Sequence, residues 1–171
     1  MKKFLAMLMA VMMVLSLVTV PVMAETPAAN DPRFSTAPKT GTAAAPADAA
    51  NLNEALNVAG GTLTFTSEGD HPWIVDGDAA KSTNVNVANS TSTVSTTVTA
   101  AAGDILQFDF MSFGEGSGNY VWDGLHLTVD GTEVMKWSRV ETWTTYAVEL
   151  TAGEHTVAWS YQKDGSVDRE G

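Results

Sequence analysis

The chain contains no cysteine, so no disulfide can hold it together, and its stability has to come from packing and from any bound metal. Basic residues are scarce: 9 Lys and Arg stand against 20 Asp and Glu, giving a net charge of -11. The basic residues beyond position 24 are scattered, which excludes the clustered cationic surface that a nucleic-acid partner needs. Proline is nearly missing after residue 46, where only Pro72 occurs. No apolar run after residue 24 is long enough to span a bilayer, and no later stretch carries a convincing helical period. Helical bundles, disulfide scaffolds and nucleic-acid modules are therefore set aside, leaving a single domain within 171 residues.

What is present divides the chain into three parts. Lys2 and Lys3 precede the apolar run Phe4 to Val20, and Val22-Met23-Ala24 offers small residues for cleavage. Residues 1–24 thus read as a signal peptide, too short and too poorly flanked for a membrane anchor, and no membrane insertion is expected after its removal. Loss of Lys2 and Lys3 leaves 7 basic against 20 acidic residues, or -13, a balance suited to a solvated extracellular surface. Residues 25–50 hold Pro27, Pro32, Pro38 and Pro46 among Ala, Thr and Ser, with Phe34 the one large apolar side chain, and read as a disordered linker. The domain is expected over 51–171.

Within it, Asp104 to Phe113 has the clearest strand period. Leu106, Phe108 and Phe110 fall on one face and Gln107, Asp109 and Met111 on the other, so the segment reads as the central strand. Ser90 to Thr99 suits a half-exposed or edge strand, and Leu63 to Phe65, Trp73 to Val75 and Leu125 to Val129 are shorter strands. Asn51 to Val58 reads as one helical turn or a first short strand. Asp130-Gly131 predicts a two-residue hairpin that sets Val129 opposite Thr132 and Leu127 opposite Val134. Thr144, Tyr146, Val148 and Leu150 alternate, as do His155, Val157, Trp159 and Tyr161, and the Ala152-Gly153 turn between them predicts a second hairpin. The fold class is all-β, an antiparallel β-sandwich of jelly-roll type.

Several residue groups together resemble a known family. Phe65-Thr66-Ser67-Glu68-Gly69 leads to Trp73, Leu106-Gln107-Phe108-Asp109-Phe110 follows, then Trp122-Asp123 with Leu125 to Gly131, then Ala152 to Val157 with Trp159 and Tyr161. In this order they are similar to the MAM-like jelly-roll modules, concanavalin-like β-sandwiches, of secreted and surface multidomain proteins of Gram-positive gut bacteria. The resemblance spans Leu52 to Val167. It implies a non-catalytic extracellular module for adhesion or glycan binding, with a glycan or a cell-surface protein as partner, and a structural calcium between an early acidic loop and the final strand. Members continue into a last strand past the segment matching Lys163 to Val167. This sequence stops at Gly171, so the sandwich is expected to lack that strand.

The chemistry legible in the residues is sparse. Gly114-Glu115-Gly116-Ser117-Gly118 is followed by no helix to present to a phosphate, and Glu115 and Asn119 sit two residues either side of Ser117, where a nucleophile elbow requires glycines. His71, His126 and His155 have no zinc spacing and read as solvated or strand-face side chains. A sandwich-fold glycosidase needs paired acids on a strand, and Asp109 stands alone in its own, so no catalytic residue is assigned and glycosidase activity is the remote alternative. Glu68 and Asp70, in the densest acidic group with Asp76 and Asp78, are the candidate calcium ligands, against the plainer reading of a solvated surface. For glycan contact the candidates are Asn119, Tyr120, Trp122 and Asp123, since aromatic faces stack on sugar rings while amides and carboxylates bind hydroxyls. The competing reading has Trp122 plugging the end of the sandwich, in a module that serves only as a spacer in a surface protein.

Overall fold

Alternating apolar and hydroxyl side chains favour extended backbone over 91–100, where Ser92, Val94 and Thr96 are buried and Thr91, Thr97 and Thr99 face solvent. The same period recurs along the chain. In the computed structural model, which describes residues 34–35, 49–57, 61–117 and 119–166, twelve strands and one short helix follow. They are β1 (Phe34–Ser35), α1 (Leu52–Leu56), β2 (Phe65–Thr66), β3 (Ile74–Asp76), β4 (Ala79–Lys81), β5 (Thr91–Ala100) and β6 (Ile105–Phe113). Then come β7 (Gly116–Ser117), β8 (Tyr120–Val121), β9 (Gly124–Val129), β10 (Thr132–Trp137), β11 (Arg139–Glu149) and β12 (Gly153–Gln162). The expected signal peptide, most of the expected linker and residues 167–171 lie outside the described residues. Among the described residues no helix is long and apolar enough to cross a membrane.

The fold is an antiparallel all-β sandwich. One sheet has the order β10-β9-β12-β5-β2 and the other β1-β11-β6, with β3-β4 and β7-β8 as separate two-stranded hairpins. The chain crosses between the main sheets from β5 to β6, back to β9, from β10 to β11 and back to β12, which is jelly-roll winding. Between the sheets lie Val94, Leu127, Met135, Tyr146 and Val157 with a cluster of aromatic rings. Phe108 is its hub, with ring centroids 5.3 Å from Trp159, 5.7 Å from Phe110, 5.9 Å from Tyr146 and 6.1 Å from Trp137. The helix α1 is capped by Asn51, whose side chain accepts from Glu54 N at 3.1 Å, and it packs Leu52 and Leu56 against this core.

Three expectations are corrected. The strand read as central, β6, ends its sheet: among the described residues β11 is its one neighbour. Its inward face is as expected, and its centrality belongs to packing across the sandwich. The second hairpin does not form. β11 pairs with β6 and β1, whereas β12 pairs with β5 and β9. Both carry a continuous inward face, and two such strands bury them by facing each other across the core as readily as by lying side by side.

The Asp130-Gly131 turn forms as expected, with φ of 53° and 75°, and sets Val129 opposite Thr132. Leu127, however, lies opposite Met135, because a bulge between Glu133 and Met135 shifts the register. Without it Val134 and Lys136 would share the inward face of Leu127 and Leu125, while Trp137 would point to solvent. One extra residue reverses the parity and buries Met135 and Trp137 instead.

Two histidines are buried on strands and held by acids. His126 Nδ1 lies 2.7 Å from Glu133 Oε2, and His155 Nδ1 lies 2.7 Å from Asp130 Oδ2 with Nε2 2.9 Å from the Thr151 carbonyl oxygen. The Asp130 bond, helped by Thr151, holds His155 above the ordinary imidazole range, and the same bond lowers Asp130. Burial opposes ionisation of Glu133, but hydrogen bonds from His126 and Lys136 outweigh it and lower its carboxyl.

Candidate functional site

The segment from Phe113 to Asp123 leaves β6 at one end of the sandwich and folds back on itself. Gly116 pairs with Val121 and Ser117 with Tyr120, while Glu115 and Asp123 exchange both backbone hydrogen bonds at 3.0 Å. This ribbon is pinned to the body. The Tyr161 hydroxyl donates to the Phe113 carbonyl, and Leu125 N donates to Ser112 Oγ at 3.3 Å. Gly114 packs so closely that a Cβ there would lie 2.1 Å from the Asp123 carbonyl oxygen. A rigid base therefore supports whatever the ribbon displays.

It displays two aromatic rings. Tyr120 is 72% exposed and Trp122 44%, and as residues i and i+2 on an extended segment they share a face, roughly 7 Å apart along the chain. Val121, between them, points back towards Gly124. Asn119 is exposed in the turn beside Tyr120. Phe113, which the sequence reading passed over, adds a third exposed ring at 39%. Trp122 does not plug the sandwich end. By contrast Trp159 and Tyr161 are buried, and the half-buried Trp73 donates its indole N–H to the Ser92 carbonyl oxygen at 3.0 Å.

The fourth candidate contact is placed differently. Asp123 is 2% exposed, its Oδ1 accepts from Asp164 N at 2.8 Å, and its Oδ2 lies 3.9 Å from Nζ of the buried Lys163. Its carboxylate is turned inward, so it supports the ribbon from beneath. Lys163 and Glu115, whose Oε2 is buried without a hydrogen-bond partner among the described residues, were not singled out from sequence. The parity of β12 would have found Lys163, because it continues the inward series Val157, Trp159 and Tyr161.

Glu68 and Asp70 are exposed on the loop between β2 and β3. Among the described residues no group of three His, Cys, Asp or Glu is placed to hold a metal ion, and the two gain no third such ligand, where calcium takes six to eight oxygens. Asp76 is engaged by Lys81 at 2.8 Å. Asp109 is exposed and accepts from Thr145 Oγ1.

Fold and site together define an antiparallel β-sandwich with an aromatic platform at one end. No protein-family model matches the chain, and no curated protein matches it. Among solved structures it is similar to the secreted serine protease VesC from Vibrio cholerae, at 21% identity and a TM-score of 0.49, over 61% of this chain and 21% of that one. The chain thus spans about a fifth of that protein's length.

Proposed function

We propose that this protein is a non-catalytic extracellular module that binds a glycan on the platform formed by Tyr120 and Trp122. The observation that carries the reading is the exposure of two large rings on a single face of a rigidly pinned ribbon. Leaving rings in water forgoes their burial energy, and a preformed pair of ring faces suits the apolar faces of sugars at little cost in ordering. Asn119 supplies an amide to sugar hydroxyls, and Asp123 holds the ribbon in place. The MAM-like resemblance points the same way, and the signal-like residues 1–24 suit an exported protein.

The test is a glycan array probed with the wild type, Tyr120→Ala and Trp122→Ala. Binding to at least one glycan, weakened tenfold or more in each variant, is expected, since about 1.4 kcal/mol of stacking corresponds to that factor. Background binding by all three would favour a structural spacer, and release of sugars from polysaccharide would restore the glycosidase alternative.

A further inference from the structure

Lys163 and Asp123 stand together at the end of the core, and Glu115 is the backbone partner of Asp123 on the ribbon. Gln162 pairs with Gly124, so the next residues of the two strands, Lys163 and Asp123, lie opposite each other. Their side chains are 1% and 2% exposed, and Nζ is 3.9 Å from Oδ2. Glu115 and Asp123 form a reciprocally hydrogen-bonded antiparallel pair, which puts their side chains on the same face. The arrangement is a poor salt bridge. The Nζ to Oδ2 distance is too long for a hydrogen bond, and both charges are held where desolvation is costly.

We infer that Lys163 and Asp123 condense to an intramolecular amide cross-link, with Glu115 carrying the protons. Glu115 first takes a proton from the Lys163 ammonium and delivers it to Asp123 Oδ2. The Nζ lone pair then attacks Cγ, forming the N–C bond and driving the carbonyl electrons onto Oδ1, where the Asp164 N–H already donates at 2.8 Å. Glu115 takes a second proton from nitrogen and passes it to Oδ2. The Cγ–Oδ2 bond breaks, water leaves, the carbonyl reforms at Oδ1, and Glu115 returns to its starting state. Two protons and one oxygen depart as water, and no oxidant or other reagent is needed.

Burial serves this chemistry twice, by holding the reacting groups in contact and by keeping water from competing with the amine. The product replaces a buried ammonium and a buried carboxylate with a neutral amide. It would tie the start of β9 to the end of β12, across 40 positions of a chain that has no cysteine.

The experiment is mass spectrometry of the full chain after denaturation and trypsin digestion, which is insensitive to processing at the amino end. Residues 82–136 contain Asp123 and residues 140–169 contain Lys163, and neither span has another basic residue before its own terminal cleavage site. The expected product is a branched peptide joining the two spans, lighter by one water and uncut at Lys163. Lys163→Arg should yield only separate peptides and melt about 10 °C lower or more, and Glu115→Gln should remain largely unlinked while folded. A succinimide at Asp123-Gly124 would also lose one water, but it joins no second peptide and hydrolyses in mild alkali. Separate, full-mass peptides from the wild type after prolonged incubation, or a water loss confined to residues 82–136, would overturn the cross-link. Linking of Glu115→Gln at the wild-type rate would overturn the part given to Glu115.

Discussion

Replacing Phe108 by alanine removes the ring on which the two sheets meet. That ring contacts four others at centroid distances between 5.3 and 6.1 Å, two of them edge-on. Burial loss and the resulting cavity cost about 3–5 kcal/mol for a Phe→Ala change in a core. Phe108 is partly rather than fully buried, which places the expected cost near the low end, about 3 kcal/mol. For a domain of this size each kcal/mol lowers the melting temperature by about 4 °C, so a fall of about 12 °C is expected by circular dichroism. The near-ultraviolet spectrum should weaken as well, because Trp137 and Trp159 lose an asymmetric neighbour. The internal control is Ile105→Ala, on the same strand but 60% exposed, which should cost less than about 0.5 kcal/mol. Melting of Phe108→Ala within about 3 °C of wild type, or an equal fall for Ile105→Ala, would refute the inward and outward assignment of β6.

Three further outcomes follow from the geometry. His155 is held above its ordinary value of 6.5, so its stabilisation is fully present below that pH and fades as pH rises through the raised value; Asp130 is held below 3.8, so its contribution is present above that pH and fades as pH falls. The melting advantage of wild type over His155→Gln should therefore be greatest between about pH 4 and 6.5, and an advantage constant from pH 3 to 9 would contradict the pairing. Gly114→Ala should destabilise by about 1–3 kcal/mol, because the new Cβ meets backbone oxygen on two sides and neither can move freely. Gly131→Ala meets no neighbour and should cost only about 1 kcal/mol, from its positive φ, so urea titration should rank Gly114→Ala below it.

Sequence periodicity carried the strands well and their partners poorly. The inward faces of β6 and β12 follow directly from alternation, because one side of each had to be buried. Alternation says nothing about which sheet holds a strand, and β11 and β12 were misjoined for that reason. The bulge at Val134 escaped because Val134 and Met135 are both apolar, and only the need to bury Trp137 distinguishes the two registers. At the site, Tyr120 and Trp122 were legible as aromatics in a glycine-rich loop. Whether they faced water or the core was not, since that depends on how Glu115 and Asp123 fold the ribbon back. The inward turn of Asp123 follows from Lys163, forty positions away.

The most direct test of the glycan platform is to follow backbone amide chemical shifts while titrating the protein with a soluble form of a glycan that scores on the array. The account predicts shifts concentrated in residues 113–123, lost in Trp122→Ala, with the outer hydroxyl face of β5 and β12 unmoved. Shifts centred on that outer face, or none anywhere with any glycan, would contradict it.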